Sequence, residues 1–505
     1  MTVQRVRFTD DDLRLFSEAS YDRNPLHLSD EYARRTAFGE PIVFGALGAL
    51  AMLSRLEPHP ELTARRLVFE FNQAAFKHVD YRIDVQHLSD EQATRGLYDG
   101  TRSTMRGTVG FTSAAALRHL RWEPPRATPP PPSTPSDPSL LQRGVRAQGE
   151  YAPEPDAFAA LIERFGLTER PVSAVALAVL LWASYLTGME LPGKHALLSR
   201  LSVDLEVGAM PASGPIRYDT TVLALDPVMN LLRTRVLLGR AEAPWGQGEL
   251  RAFVRHPAHE LSKAAAVQAP SGAATKRTMT GKVALIFGAG RGLGAALATA
   301  LAGEGCRVLA VSRGGGSENG CPVDTSGHPG TPEIIPLSGD AADPSFCSAT
   351  AERVRREHGR LDFLFCHVAP PLRPLWLDPE AVGRIVDHVA ESVAFAAHPL
   401  TFCLPLVESS GGYVVFSSAL TVVLPRPEWP HYVAAKLAVE GLIAAAVTEF
   451  PGVTGLIVRY PRLLTDYVTH LSGHRATPPA QVLTRLVERL KAPPAPGRCE
   501  VLEIE

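Results

Sequence analysis

Two sets of side chains able to transfer protons stand near opposite ends of this 505-residue chain. Asp22 and His27 flank the turn-forming dipeptide Asn24-Pro25, which could bring a carboxylate and an imidazole to one point. Tyr432 and Lys436 are four residues apart, so on a helix they would share one face. The lysine ammonium would then lower the pKa of the phenol and make it a usable proton donor. Both sets predict acid–base catalysis.

A glycine-rich turn lies upstream of the tyrosine–lysine pair. Val283–Phe287 is a short, continuous apolar run of the kind that forms a buried parallel strand. Gly288, Gly292 and Gly294 follow it, and the next residues keep helical spacing up to a glycine. Glycines here let the backbone approach a pyrophosphate, whose charge is stabilised by the N-terminus of a helix. The stretch therefore predicts a dinucleotide-binding turn between a strand and a helix.

Residues from about 278 to 470 resemble the short-chain dehydrogenase/reductases. The motifs that carry the resemblance are GAGRGLG at 288–294, Gly339-Asp340, Ser417-Ser418, YVAAK at 432–436 and Tyr460-Pro461-Arg462. The resemblance implies a Rossmann domain, built on a doubly wound parallel sheet, that moves hydride to or from a nicotinamide. It also implies a homodimer, because reductase domains of this kind commonly pair through their helices.

The same resemblance assigns the site residues of this region. Ser418, with Ser417 as the alternative, would bind the substrate carbonyl, and Tyr432 would donate the proton. Lys436 would lower the pKa of that tyrosine and hold the nicotinamide ribose. Cofactor contacts are expected at Gly288, Arg291, Gly292, Leu293, Gly294, Ser312, Arg313, Asp340, Ala369, Tyr432, Lys436, Pro461 and Thr465.

Three positions depart from the family's pattern. The sequence CHVA at 366–369 replaces Asn-Asn-Ala-Gly, and its His367 is either a support for the backbone or a cofactor contact. Ser392 stands where many members have the asparagine of a proton relay. Arg462 replaces the glycine after Pro461. These departures bear on the rate of the reaction more than on its type.

The second strand of this region predicts the choice of cofactor. Arg307–Val311 ends in Ser312-Arg313, where an acidic residue would accept hydrogen bonds from the ribose hydroxyls of NAD. Arg313 would instead attract a 2′-phosphate, and Arg291 in the glycine turn adds a second cation. Either arginine alone is as readily explained by solvent exposure, but the pair favours NADPH over NADH.

The N-terminal stretch resembles the MaoC-like, (R)-specific enoyl-thioester hydratases and dehydratases of the hotdog fold. The matching positions are Asp22, Asn24, Pro25, Leu26, His27, Tyr32, Ala33, Phe38, Pro41, Ile42 and Gly45. The resemblance implies that Asp22 and His27 act across the α and β carbons of a thioester, with Asn24 orienting them. Gly45 would begin an apolar helix, Gly45–Leu53, whose N-terminus holds the thioester oxygen.

Two residues of this motif depart from the family. Tyr21 stands where a glycine precedes the aspartate, and Phe44 stands where a histidine precedes Gly45. Both could reshape the mouth of the substrate pocket. They leave open a non-catalytic copy, in which Asp22 caps a turn and His27 binds a carbonyl group.

The middle of the chain repeats the order of a long apolar helix followed by strands. The helix is expected at Val172–Thr187, and strand-like runs follow at Leu197–Val207, Thr220–Leu225 and Leu231–Leu238. No catalytic set is visible there, and His195 and His256 are expected to be structural. The resemblance is to double-hotdog dehydratases, in which a second, degenerate hotdog forms a wall of the acyl pocket.

The expected architecture is a multidomain α+β and α/β protein. A hotdog with the catalytic motif would occupy residues 1–123, a proline-rich linker 124–139, the second hotdog 140–263, another linker 264–278 and the Rossmann domain 279–505.

The net charge of −2 and pI near 6.8 predict neither nucleic acid nor a membrane as partner. The N-terminus lacks the apolar core of a secretory signal, so a cytoplasmic location is expected. The six cysteines lack paired spacing, which predicts no metal site.

Together the two resemblances predict a bifunctional enzyme. A ketoreductase makes the 3-hydroxyacyl thioester that a dehydratase converts to a trans-2-enoyl thioester, and fusion raises the effective concentration of the shared alcohol. The carrier would be acyl carrier protein or coenzyme A, in polyketide or fatty-acid-like biosynthesis. Three alternatives stay open: the reverse reactions in β-oxidation, a reductase whose hotdog half only dimerises and docks the acyl carrier, and a dehydratase with a regulatory nucleotide domain.

Overall fold

The computed structural model describes residues 4–34, 36, 38–89, 91–117, 122–126, 141–255, 277–314, 334–463 and 477–504. These residues form two compact units, an N-terminal unit within 4–255 and a C-terminal unit within 277–504. Most of both predicted linkers lies outside the described ranges. So do His256 and Thr465, whose predicted roles stay predictions.

The first half of the N-terminal unit has four helices and five strands in the described ranges. The helices are α1 (Asp10–Ser20), α2 (Pro25–Leu28), α3 (Asp30–Arg34) and α4 (Gly45–Leu53). The strands are β1 (Gln4–Arg7), β2 (Leu62–Phe71), β3 (Asp80–Leu88), β4 (Gln92–Asp99) and β5 (Arg102–Ser113). Thr9 and Asp12 start α1 with a reciprocal capping box. The apolar helix α4 has the bounds that the sequence predicted.

The second half repeats this composition. Its helices are α5 (Pro155–Arg164) and α6 (Ala174–Tyr185), which continues into a π-helical turn, Leu186–Glu190. Its strands are β6 (Arg146–Tyr151), β7 (Ala196–Leu205), β8 (Ile216–Asp226), β9 (Leu231–Arg240) and β10 (Ala243–Val254). The predicted apolar helix is confirmed, and it begins after Ser173 because the side chain of that serine caps it.

One antiparallel sheet joins the two halves of the N-terminal unit. Its strand order is β1-β3-β4-β5-β2-β7-β10-β9-β8-β6, and its strand pairs are antiparallel. The first half therefore has the order 1-3-4-5-2, and the second half repeats it as 6-8-9-10-7. Strands β2 and β7 make the join, with Arg66 opposite Asp204 and Glu70 opposite Arg200. The two halves are thus a structural duplication.

The apolar helices α4 and α6 form the centre of this unit. Every residue of α4 after Gly45 is buried, as is every residue of α6 after Ala174. A helix that is apolar on all sides must be enclosed to keep that surface from water. The two helices contact each other, so one hydrophobic core serves both halves.

The C-terminal unit alternates strands and helices. The strands are β11 (Val283–Phe287), β12 (Arg307–Ser312), β13 (Ile334–Ser338), β14 (Phe363–Cys366), β15 (Tyr413–Ala419), β16 (Thr454–Tyr460) and β17 (Cys499–Glu503). The helices are α7 (Gly292–Gly303), α8 (Pro344–His358), α9 (Val382–Ser409), α10 (Pro430–Glu449) and α11 (Pro479–Lys491). Hydrophobic clusters cover both faces of the sheet, which explains the continuous apolar run of β11.

The sheet of this unit is parallel throughout its described strands. The order is β13-β12-β11-β14-β15-β16-β17, and each neighbouring pair is parallel. The order reverses between β11 and β14, where the connections leave in opposite directions. Ligands of such sheets bind in the crevice at the carboxyl ends of the strands that flank this switch point. The predicted doubly wound parallel sheet is confirmed.

Candidate active sites

Asp22 lies in a buried pocket that both halves of the N-terminal unit form. Its side chain is 1% exposed. Oδ2 accepts a hydrogen bond of 2.7 Å from Ser184, and Oδ1 accepts one of 3.1 Å from the backbone N–H of Asn24. The backbone of Gly188 approaches so closely that a Cβ there would stand 2.6 Å from Oδ1. The second half of the unit therefore holds the carboxyl group of the first half in place.

This environment favours the protonated form of Asp22. Burial raises the pKa of its carboxyl to about 7, although the hydrogen bonds from Ser184 and Asn24 act in the opposite direction. A carboxyl group with this pKa carries its proton in a large fraction of molecules at neutral pH. It can therefore donate a proton to a leaving hydroxyl group.

The imidazole of His27 is held by two contacts. Its Nδ1 lies 2.8 Å from the carbonyl oxygen of Ile42. A carbonyl oxygen can only accept, so Nδ1 carries the proton and Nε2 keeps a free lone pair. The ring of Phe44 stacks on the imidazole with centroids 3.9 Å apart. Burial lowers the pKa of His27 to about 4, so the ring is neutral at pH 7 and suited to accept a proton.

Other residues of the motif position this pair. Asn24 caps α2, the helix that carries the histidine, because its Oδ1 accepts a 3.1 Å hydrogen bond from a backbone N–H there. Tyr21 has a left-handed φ of 57°, a backbone conformation that favours glycine, which accounts for the family's glycine at this place.

Gly45, the first residue of α4, lies close to a neighbouring side chain, since a Cβ at Gly45 would stand 2.9 Å from the ring of Phe71. The N-terminus of α4 has no side-chain cap, so its N–H groups are available to an oxygen atom.

Three glycines of the turn after β11, at 288, 290 and 294, stand where a Cβ would come too close to other atoms. Gly288 has a φ of 94°, and its N–H donates to the end of β12 at 3.1 Å. A Cβ on Gly294 would stand 2.1 Å from the carbonyl oxygen of Gly288, and one on Gly290 would stand 2.8 Å from the Cβ of Ser312. Helix α7 begins at Gly292 without a side-chain cap. This cradle of bare backbone fits the pyrophosphate of a dinucleotide.

The other predicted cofactor residues surround the carboxyl edge of the parallel sheet. Arg291 precedes α7, Leu293 is in its first turn, Ser312 ends β12 with Arg313 after it, Asp340 follows β13, Ala369 follows β14 and Pro461 follows β16.

Glu391, which the sequence analysis missed, lies near Arg313 and Asp340. Partial burial raises the pKa of Glu391, the charge of Arg313 lowers it and that of Asp340 raises it. An acidic group therefore stands close to the arginine expected to select the cofactor.

Tyr432 and Lys436 lie on one side of α10, as their spacing predicted. The lysine Nζ is 5.5 Å from the centroid of the tyrosine ring and donates to the carbonyl of Ser417 at 2.7 Å. Burial lowers the pKa of Lys436 to about 8 and raises that of Tyr432 to about 12. The predicted lowering of the tyrosine pKa is therefore wrong for this structure, because burial of the phenol raises that pKa.

The two serines of β15 have different partners. Ser418 is buried and donates to Glu440, whose carboxylate pairs with Arg459 at 2.7 Å. Ser417 instead hydrogen-bonds Nδ1 of His367, and its carbonyl accepts from the lysine of the YVAAK motif. Neighbouring strand residues point to opposite faces, so the two hydroxyl groups cannot exchange roles. The lysine contacts the backbone carbonyl of Ser417 and not a serine hydroxyl group, so the preference for Ser418 stays a prediction, and Ser417 is the serine that contacts His367.

His367 and Ser392 replace asparagines of the family and make different contacts. Burial lowers the pKa of His367 to about 3, so the ring is neutral, and its Nε2 is buried without a partner in the described part of the chain. Ser392 donates to a carbonyl of its own helix at 2.7 Å. His367 is therefore a partner of a site serine rather than only a support for the backbone. Across the described ranges, no group of three or more acidic, histidine or cysteine side chains is placed to hold a metal ion.

Ser184 and the Glu440–Arg459 pair are further partners of candidate site residues that the sequence analysis missed. Ser184 is a single hydroxyl near the end of an apolar helix, which was the one available signal. The ion pair gave no signal, because its members belong to α10 and β16 and meet only in the folded chain.

Comparison with known proteins identifies both regions. The family model described as MaoC like domain matches residues 1–79, and the model described as short chain dehydrogenase matches residues 282–457.

Individual relatives each match less than half of the chain. The 11-beta-hydroxysteroid dehydrogenase A of Arachis hypogaea is 25% identical over 192 residues, which are 38% of this chain and 54% of that protein. The D-threitol dehydrogenase of Mycolicibacterium smegmatis is 26% identical over 188 residues, 34% of this chain and 66% of that protein. The chain thus spans between about half and two thirds of the length of these curated relatives. The crystal structure of levodione reductase is 19% identical with a TM-score of 0.40, covering 45% of this chain and 97% of that one. The chain therefore has a MaoC-like domain at its N-terminus and a short-chain dehydrogenase domain in its C-terminal region, as the two family models match them.

Proposed function

We propose that the chain reduces a 3-ketoacyl thioester with NADPH and dehydrates the resulting alcohol to a trans-2-enoyl thioester. The observation that carries the proposal is the presence of two acid–base sites in one chain, Asp22 with His27 and Tyr432 with Lys436, in families whose reactions share a 3-hydroxyacyl intermediate. Fusion raises the effective concentration of that intermediate. The substrate would be carried by acyl carrier protein or coenzyme A, in polyketide or fatty-acid-like biosynthesis in the cytoplasm.

The N-terminal unit is proposed to be a double hotdog. Two facts support this: the strand order 1-3-4-5-2 occurs twice, and each half encloses one apolar helix. The second half lacks a counterpart of the aspartate–histidine motif in its sequence, but it contributes Ser184 and Gly188 to the site. One catalytic centre would then serve both halves.

The contacts of Asp22 and His27 support a role for each in the proposed dehydration. The free Nε2 of His27 would remove the proton from the α carbon, and the electron pair of that bond would form the new double bond. The β carbon–oxygen bond would break as the protonated Asp22 gives its proton to the hydroxyl group, which leaves as water. The N-terminus of α4 would bind the thioester oxygen, where negative charge develops.

The C-terminal unit would perform the reduction. A bound nicotinamide supplies hydride to the carbonyl carbon of the substrate. Tyr432 would donate its proton to the carbonyl oxygen as the alcohol forms, and the ammonium of Lys436 would stabilise the resulting phenolate. Ser417 would hold that oxygen through its hydroxyl group. The same hydroxyl group is also hydrogen-bonded to the imidazole of His367. Arg313 and Arg291 support NADPH as the cofactor, with Glu391 as an opposing charge.

The long helices α9 and α10 support the proposed homodimer. By length and composition both could cross a membrane, but they pack on each other and on the sheet. Each has 39% of its apolar window buried, so much apolar surface faces outward. Val382, Val386 and Leu437 are among the exposed apolar side chains. A second copy of these helices would cover that surface.

The two activities can be tested separately with purified 3-ketoacyl and 3-hydroxyacyl thioesters. Asp22→Asn and His27→Ala should each slow dehydration by about a hundredfold or more and leave NADPH consumption unchanged. Tyr432→Phe should do the reverse. His78→Ala, an exposed histidine paired with Asp10, is the control for both. Unchanged dehydration in the first two variants would make the N-terminal unit a docking module, and unchanged NADPH consumption in Tyr432→Phe would make the nucleotide domain regulatory.

A further inference from the structure

A buried arginine without a carboxylate partner lies beside the aspartate–histidine site. Arg255 is 8% exposed. Its Nη2 donates to the carbonyl of Lys194 at 3.1 Å and to the hydroxyl of Tyr32 at 3.4 Å. Its Nε is buried and donates to no described residue. The described residues place no carboxylate within 4 Å of the guanidinium, whose pKa is lowered by burial and raised by Tyr32.

A second cation and an imidazole complete the cluster. The Nζ of Lys194 lies 5.2 Å from the centroid of the Tyr32 ring, and the Cζ of Arg255 lies 5.8 Å from it. The Nδ1 of His195 is 3.4 Å from the Tyr32 hydroxyl. Burial, Arg255 and Lys194 lower the pKa of His195 to about 4, so it is neutral at pH 7. His195 was expected to be structural, and here its imidazole contacts the Tyr32 hydroxyl beside the two cations.

Such a charge is unusual inside a protein. Removing a cation from water is costly unless an anion compensates it. The same unit obeys this rule elsewhere, since the buried Asp12 is paired with Arg164 at 2.9 Å. At Arg255 the described residues provide a carbonyl and a phenol but no negative charge. An anionic group with oxygen acceptors would satisfy the unpaired donors.

The cluster is close to the proposed catalytic histidine. Tyr32 packs against a small hydrophobic cluster that contains Leu26 and Ile42. Leu26 precedes His27 in the chain, and the carbonyl oxygen of Ile42 contacts the imidazole of His27. Burial is the main cause of the lowered pKa of His27, and the nearby charge of Arg255 lowers it further. The cluster and the histidine are therefore neighbours in the folded unit.

We propose that Tyr32, Lys194, His195 and Arg255 bind an anionic oxygen group of the thioester substrate. The group is a carboxylate on the acyl chain or a phosphate on the carrier arm, since both present the same charged oxygens. The inference rests on the proposed dehydratase function and deepens it, because it specifies the charge of the substrate. Arg255 would provide a guanidinium fork, Lys194 an ammonium, and the two other side chains neutral hydrogen bonds.

The test is a binding measurement that does not depend on turnover. Isothermal titration calorimetry would be run on the full-length chain in the Asp22→Asn background, so that a bound thioester does not react. Four ligands separate the sources: a neutral 3-hydroxyacyl group and one ending in a carboxylate, each carried by N-acetylcysteamine, which lacks phosphate, and by coenzyme A. The added variants are Arg255→Met, Lys194→Met and Arg255→Lys. Arg251→Met, on strand β10 shortly before Arg255 and paired with Glu249, is the matched control.

Arg255→Met should raise the Kd of an anion-bearing ligand about tenfold or more and leave that of the neutral N-acetylcysteamine thioester unchanged. Lys194→Met should act in the same direction, Arg255→Lys should restore part of the affinity, and Arg251→Met should change nothing. An effect confined to coenzyme A thioesters assigns the phosphate, and one confined to carboxylated acyl chains assigns the carboxylate. An equal effect on all four ligands, or none, overturns the proposal. Lys194 is partly exposed, so its variant keeps the test decisive if Arg255→Met fails to fold.

Discussion

Ser184 donates a 2.7 Å hydrogen bond to Asp22, although 162 residues separate them along the chain. The serine belongs to the half of the N-terminal unit that has no acid–base motif of its own. It satisfies one oxygen of the carboxyl group while the backbone N–H of Asn24 satisfies the other. The duplicated half is therefore part of the candidate site and not merely a wall of a pocket.

Replacing Ser184 by alanine should move the pH dependence of dehydration. Burial raises the pKa of Asp22 and the serine hydrogen bond lowers it, so loss of that bond raises the pKa further. The alkaline limb of kcat/KM should shift to higher pH, with kcat reduced about tenfold because the carboxyl loses a positioning contact. Ser54→Ala, which removes a hydroxyl bonded to a carbonyl at the end of α4, is the control. An alkaline limb that stays in place would refute the positioning role of Ser184.

The unmodified chain should dehydrate with a bell-shaped pH profile. His27, with a pKa of about 4, must be neutral to accept a proton, so activity is lost as the pH falls through that value. Asp22, with a pKa of about 7, must be protonated to donate, so activity is lost as the pH rises through that value. The measurement is kcat/KM for a 3-hydroxyacyl thioester from pH 4 to pH 9. A rate that increases through pH 7 would reverse the assigned roles.

Asp22→Asn should stabilise the protein at alkaline pH while it abolishes dehydration. The pKa of Asp22 rises from 3.8 to about 7 on folding, so the folded state binds its proton more tightly. The stability this gives is present below the unfolded value and is lost as the pH rises to about 7. Asparagine cannot ionise, so at pH 8 the variant should gain a few kcal/mol, at most about 4, in free energy of unfolding. Urea unfolding at pH 4 and pH 8 tests this, and an equal change at both pH values would contradict it.

The two serines of β15 should behave differently on replacement. Ser417→Ala removes the hydroxyl between His367 and the substrate position, and it should reduce the kcat of ketoreduction by about a hundredfold. Ser418→Ala removes a hydrogen bond to the Glu440–Arg459 pair and should cost about 1 kcal/mol of stability with kcat little changed. NADPH consumption and thermal unfolding of both variants distinguish the two effects. The opposite ranking of kcat would return the role to Ser418.

Arg313→Ala should weaken NADPH and spare NADH. Loss of the guanidinium removes a charge-assisted contact to the 2′-phosphate, so KM for NADPH should rise about tenfold or more. Glu391→Gln should have the opposite effect, because it removes a negative charge near Arg313. Arg353→Ala, on α8 and paired with Glu357, serves as the control. Equal changes in KM for both cofactors would mean that Arg313 does not select between them.

Local patterns were enough to predict the elements that position both sites. The bounds of the helix Gly45–Leu53 followed from an apolar run that starts at a glycine, and the strand Val283–Phe287 followed from a short run before the glycine turn. Strands β4 and β10 were not predicted, since glycine and charged residues interrupt the apolar residues of QATRGLYD and APWGQGELRAFV. Pairing with neighbouring strands on both sides overrides their weak propensity.

Contacts between distant parts of the chain could not be predicted. Ser417 and Ser418 are adjacent, and the register of β15 with β16 brings Ser418 opposite Arg459, in the ion pair with Glu440. The rise in the pKa of Tyr432 has a similar origin, because burial depends on the packing of α10 and not on the YVAAK spacing. Spacing shows which groups can meet, and packing decides their partners and charge states.

The most direct test of the account is a single incubation of the protein with NADPH and a short 3-ketoacyl thioester. Absorbance of the nicotinamide would be followed while mass spectrometry identifies the acyl product, with Asp22→Asn and Tyr432→Phe run in parallel. The account predicts NADPH loss and a product lighter than the alcohol by one water, with Asp22→Asn stopping at the alcohol and Tyr432→Phe consuming no NADPH. An unmodified chain that consumes NADPH but stops at the alcohol, or that consumes none, would contradict it.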